Sequence, residues 1–242
     1  MNKSVALILA GGVGNRMNLS IPKQFVMVDG LSVLQHTMLA FQQHMLISAI
    51  YVVSSPEWQN TVRQQAQSAG ITKFAQCINS GENSFLSARN GILAIQEREE
   101  PNTVVLVHDA VRPLISQDII SSNISVCLSR GNAITSLQSQ ESYMQIGKKT
   151  DALHEDIVAS DYILREELLR AQTPHTFHLK ELAEMFAEAD QRGINYSQSI
   201  FTLACELGHV PLYPAKGEMI NFKLTMPSDI MLFQAILQQI RG

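Results

Sequence analysis

Cysteine is scarce in this chain of 242 residues. Cys77, Cys127 and Cys205 are the only three. Their spacing matches no metal-binding pattern, and an odd number leaves no complete disulfide set. They read as small buried residues of a protein kept in a reducing cytoplasm. Long apolar runs are missing as well. The first run follows Lys3 and covers only residues 5–9. A secretory leader needs an apolar region of roughly 7–15 residues, and a membrane span needs about 20. No membrane association is therefore expected. Positive charge is in deficit, with 18 Lys and Arg against 22 Asp and Glu and a net charge of −4. That balance excludes the basic footprint of a nucleic-acid binder, so an anionic ligand must be met by local cations. No internal repeat, low-complexity tract or interdomain linker is found. The length fits one large α/β domain over residues 1–242, and a composition that is 45% hydrophobic supplies its core.

What is present is concentrated at the start. The apolar run 5–9 has the length and residue types of a strand. It ends in Ala10, Gly11, Gly12 and Gly14, and the cations Arg16 and Lys23 follow. Glycines allow close approach to the main chain, and exposed N–H groups in such a turn form a concavity for an anion. Pro22 stiffens the presentation of Lys23. The loop suits a polyphosphate. It is not a P-loop, because no Gly-Lys-Ser/Thr follows, and it lacks the third glycine of the dinucleotide fingerprint.

Periodicity predicts a helix over 31–41, a strand over 47–53, a helix opening near Pro56 and a short strand over 74–78. Further strands are predicted at 104–107 and 133–137, and helices at 179–189, 196–207 and 228–240. The last is expected to pack Ile230, Leu232, Phe233 and Leu237. Alternating strands and helices argue for a mostly parallel sheet covered on both faces, with ligands at the carboxyl ends of its strands. Asp109 falls at such an end. It can hold a magnesium ion or a ribose hydroxyl, and Arg112 can pair with it or face a phosphate. His108 reads as a structural neighbour. The polar, glycine-containing stretch at about 138–162 reads as a protruding β-hairpin arm. With few apolar residues it needs a partner surface, and a second copy of the chain is the expected one. Lys223 is placed on an apolar strand, where it costs desolvation unless it meets an anion.

Several of these segments together resemble the CTP-dependent cytidylyltransferases of sugar-alcohol phosphates. They are residues 9–17, Pro22-Lys23-Gln24-Phe25, the stretch 80–91, His108-Asp109-Ala110-Val111-Arg112-Pro113, Thr173-Pro174 and residues 219–229. The resemblance implies a Rossmann-like three-layer nucleotidyltransferase fold, CTP and magnesium as requirements, and a homodimer formed through the arm. It assigns charge work to Arg16, Lys23 and Lys223, and nucleotide contacts to the glycine loop, Gly81, Ser87 and Asp109. Acceptor contacts fall to Arg112, Thr173, Ser142 and, from a partner copy, Arg165. Some positions depart from the pattern: Ser84 replaces a usual arginine and Ser199 a usual aspartate, while Glu82 and Ser142 stand where an aspartate and a threonine are common. 2-C-methyl-D-erythritol 4-phosphate, of isoprenoid synthesis, is ranked first as acceptor by breadth of occurrence. Ribitol 5-phosphate, the precursor of CDP-ribitol for a surface polymer, is the alternative, toward which Gly11-Gly12 leans. Competing readings are another nucleotide with a sugar 1-phosphate, a dinucleotide-dependent oxidoreductase, and a non-catalytic nucleotide-binding homologue.

Overall fold

The computed structural model describes residues 3–12, 21–146 and 159–241. The chain alternates strands and helices from its start. β1 (Ser4–Leu9) leads to a two-strand ribbon of β2 (Met27–Val28) and β3 (Leu31–Ser32), then to α1 (Val33–Gln43). β4 (Ile47–Ser54), α2 (Gln59–Ser68), β5 (Phe74–Asn79), α3 (Ser84–Gln96) and β6 (Val104–Asp109) follow. Next come α4 (Gln117–Arg130), β7 (Asn132–Gln138), and the arm strands β8 (Tyr143–Ile146) and β9 (Ala159–Ile163). β10 (Leu169–His178), α5 (Leu179–Gln191), α6 (Ile200–Leu207), β11 (Pro214–Lys216) and α7 (Pro227–Arg241) complete it.

Seven strands form one sheet in the order β11-β7-β10-β6-β1-β4-β5. Only β10 runs antiparallel to its neighbours. Side-chain alternation along β1 shows how the layers form. Ala6 and Ile8 face a core shared with α1, α2 and α4, while Val5 and Leu7 face one shared with α3, α5 and α6. A smaller core holds Phe233 and Leu237 of α7 against Val28 and Val33. The expected α/β fold with a mostly parallel central sheet is the fold observed. The arm strands pair antiparallel, Tyr143 opposite Ile163, and residues 147–158 of the arm lie outside the described residues.

Some boundaries differ from the sequence reading, for local reasons. The first helix opens at Val33 rather than residue 31, because Ser32 and Gln35 form a reciprocal cap. The helix expected from residue 196 opens at Ile200, because Ser199 and Thr202 form another. Lys223 lies on no strand. Residues 217–226 make isolated bonds instead, such as Leu224 N–H to Val111 O at 2.9 Å. Asp229 then takes the N–H groups of Thr225 and Met226 to start α7. Leu232 is half exposed rather than packed, and Cys205 is exposed, unlike Cys77 and Cys127. Among the described residues no helix is long and apolar enough to cross a membrane.

Candidate active site

Two cavities adjoin at the carboxyl ends of β1 and β6. The first is walled by Ala10, Gly11, Gly12, Lys23, Gly81 and Ser87. The second, of about 200 Å³, is walled by Arg112, Thr173, His175, Ser199, Ile200 and Phe201, among others. Leu9, Ser84, Asp109 and Lys223 line both and so form the seam.

The first wall is built from backbone. Gln24 donates from Nε2 to Ala10 O at 2.7 Å and Gly12 O at 3.0 Å, which fixes the glycine turn. Nothing in the sequence pattern pointed to that task for Gln24. A Cβ at Gly11 would stand 2.7 Å from Ser80 Cβ, and one at Gly81 would stand 2.8 Å from the Leu86 carbonyl carbon. Neither position admits a side chain without movement. The Gly81 turn is held by its N–H donating to Ser87 Oγ at 3.1 Å. Lys23 follows Pro22 in a single 3-10 turn, and its Nζ donates to Leu224 O at 3.0 Å. Gly14 and Arg16 lie outside the described residues.

The seam carries the charge. Asp109 Oδ2 accepts from Arg112 Nε at 3.0 Å, and its Oδ1 accepts from Lys223 Nζ at 3.2 Å. Burial pushes the Asp109 carboxyl up, but Lys223 and then Arg112 outweigh it and hold the carboxyl far below the usual range. Asp109 is therefore ionised at any working pH. Asn221 organises the neighbouring strand end. Its carbonyl accepts from Arg112 Nη1 at 2.9 Å, and its Nδ2 donates to Thr173 O at 2.9 Å. These bonds bring the irregular segment, and so Lys223, over Asp109. Lys223 thus meets an anion within the protein itself.

Beneath the seam lies a relay that the sequence did not reveal. Burial pushes His108 down to about 4, so the ring is neutral. Its Nε2 faces Arg112 O at 3.1 Å and must donate; Nδ1 is then an acceptor. Thr173 Oγ1, 3.1 Å from Nδ1, donates to it and accepts from Asp109 N–H at 3.1 Å. Thr173 thus faces the second cavity with a hydroxyl already holding Asp109 in place. The structural role expected of His108 fits this geometry. Ser142 and Arg165 are exposed near the arm, line neither cavity, and Arg165 pairs with Glu166 at 3.2 Å.

His175 is also buried, and burial pushes it down to about 4. Both depressed histidines contribute stability that is complete above about pH 6.5, their unfolded value, and is lost as pH falls toward 4. The expected loss between pH 7.5 and pH 5 is roughly 2 kcal/mol for each histidine. Urea unfolding at the two pH values measures it, and His175→Gln should remove about half. Equal stability at both pH values would overturn the assignment.

Paired cavities that meet at a carboxylate-centred cluster of cations, at the carboxyl ends of a mostly parallel sheet, suit a nucleotidyltransferase. The chain belongs to the 2-C-methyl-D-erythritol 4-phosphate cytidylyltransferase family, whose model matches residues 4–239; it is a cytidylyltransferase. It is 33% identical to a ribitol-5-phosphate cytidylyltransferase of Lacticaseibacillus paracasei, over 97% of each chain. It is 32% identical to a 2-C-methyl-D-erythritol 4-phosphate cytidylyltransferase of Syntrophus aciditrophicus, over 99% of this chain and 98% of the other. The fold matches the crystal structure of 4-diphosphocytidyl-2C-methyl-D-erythritol synthase from Anaerococcus prevotii with a TM-score of 0.80. That match has 22% identity and covers 98% of this chain and 96% of the other.

Proposed function

We propose that the enzyme transfers CMP from CTP to a five-carbon polyol phosphate, with ribitol 5-phosphate as first acceptor. The observation that carries this is the seam, where Asp109 and Lys223 line both cavities. The first cavity takes the triphosphate against the glycine turn and the second takes the polyol. An acceptor phosphate oxygen attacks the α-phosphorus, and pyrophosphate leaves. The attacking phosphate is already an anion, so no general base is required, in keeping with two neutral histidines. The residues act by holding two anions in line and offsetting the charge that builds up. Lys23 and Arg16 serve the triphosphate; Lys223 and Arg112 serve the acceptor phosphate.

Two observations bear on the acceptor. The ribitol name on the Lacticaseibacillus relative and the Gly11-Gly12 pair support ribitol 5-phosphate. The apolar part of the second cavity, with Phe85, Ala88, Ile200 and Phe201, favours the methyl-bearing 2-C-methyl-D-erythritol 4-phosphate as a second reading. Pyrophosphate release with CTP, magnesium and each acceptor in parallel distinguishes them. Preference for the methylated acceptor by tenfold or more in kcat/KM would reverse the ranking. Turnover of neither would overturn both.

Magnesium fits as a companion of the nucleotide. Among the described residues no group of three His, Cys, Asp or Glu converges to hold a metal. Magnesium is commonly held by one or two carboxylates plus substrate phosphates, and Asp109 can supply one. When bound, the ion would neutralise phosphate charge. The arm supports a homodimer: Met144 and Tyr162 are largely exposed on it. Ser142 and Arg165, outside both cavities of their own chain, would reach an acceptor only in a partner copy.

A further inference from the structure

The two sides of the site come from segments more than a hundred residues apart, and one side chain bridges them. Asn83 lines the first cavity between Gly81 and Ser84, and its Oδ1 accepts from Leu86 N–H at 2.9 Å and so caps α3. Its Nδ2 donates to Asn195 O at 3.2 Å. Asn195 lies in the connection between α5 and α6, which goes on to form the second cavity's wall at Ser197, Ser199 and Phe201. The helices on either side are braced already. Phe85 packs on Phe186 with ring centroids 5.3 Å apart, and Arg89 Nε donates to both oxygens of Asp190 at 3.1 Å. Beyond Asp190 the chain turns at Gly193, with φ of 68°, and Asn195 and Tyr196 are exposed. Among the described residues the Asn83 bond is a hydrogen-bonded tie that extends the brace from the helices to the second cavity's wall.

We propose that Asn83 is a positioning residue that couples the nucleotide side to the acceptor side. CTP settling on the 81–87 segment steadies Asn83, and Asn83 steadies residues 195–199 through the Asn195 carbonyl. Such coupling is reciprocal, so a bound acceptor tightens CTP by the same factor. The coupling rests on the proposed roles of the two cavities. One hydrogen bond limits the effect to roughly 2–10-fold.

The test is Asn83→Ser. Serine is as good a helix cap as asparagine, but it is too short to reach Asn195 and adds no charge beside the triphosphate. The readout is amide hydrogen exchange at residues 195–201 with and without CTP and magnesium, and it needs no acceptor. In the wild type, CTP is expected to slow exchange there by about 3–10-fold. In the variant the slowing at 195–201 should fall below about twofold while CTP still protects 81–87. Where an acceptor turns over, its KM at saturating CTP should rise by the same factor, and by more than any fall in kcat. Equal slowing in both proteins, or none at 195–201 in the wild type while 81–87 is protected, would overturn the coupling. Protection of neither segment by CTP would overturn the cavity assignment and the coupling with it.

Discussion

Replacing Lys23 by alanine should lower kcat for CMP transfer by roughly 10²–10³-fold while the fold is kept. The size follows from what holds the side chain. Pro22 fixes the approach, the 3-10 turn Lys23–Phe25 is short and partly buried, and Nζ is anchored on Leu224 O. The ammonium is thus fixed beside the first cavity, on the residue next in sequence to Lys223. A preorganised charge of this kind costs no reorganisation at the moment of reaction. Lys23→Arg should recover only part of the rate, because a planar fork does not superpose on a point charge. Steady-state kinetics with CTP varied gives the answer. A kcat within tenfold of wild type would show that the charge is supplied elsewhere.

Asp109→Asn should be comparably severe, and its kinetic pattern should be different. The carboxylate pairs with Lys223 and Arg112 at once, one oxygen to each. Asparagine is nearly the same shape, so packing is preserved, but two cations are left facing each other with no anion between them. The local charge becomes more positive, and the acceptor KM is not expected to rise. The loss should fall on kcat, on the order of 10²-fold. The magnesium concentration for half-maximal activity should rise about tenfold if the carboxylate is one of the ion's oxygen ligands. A fall in kcat with unchanged magnesium dependence would mean that Asp109 acts only by orienting the cations. Full activity would remove it from the site.

Much of this architecture could be read from residue order. β1, β4 and β6 are continuous apolar runs, as strands buried on both faces must be, and Asp109 stands at the end of one of them. β10 was hidden. Its central residues, Arg170 to Thr176, are mostly polar and contain Pro174, and a proline argues against a central strand. The structure accommodates it where the pairing with β7 shifts register between Ala171 and His175. The segment around Lys223 misled in the opposite direction. Ile220, Phe222 and Leu224 alternate with polar residues as a strand would, yet Gln172 takes the place of a strand neighbour. Its side chain bonds both the N–H and the C=O of Glu218. A side-chain amide imitating a backbone leaves no periodic trace. Gln24, Asn83 and Asn221 escaped for the same reason: each acts through a bond to a distant carbonyl, and no local pattern announces such a bond.

The shift within β10 has a consequence for how such enzymes can diverge. It divides one strand into two lengths, each with its own alternation. Residues 175–178 pair with β6, and 175–177 with β7 as well, whereas residues 169–171 pair with β7 alone at the root of the arm. Descendants could lengthen, trim or re-pair the arm without rotating His175 or Phe177 out of place. The root of the arm can therefore change shape while the site beside it keeps its alignment.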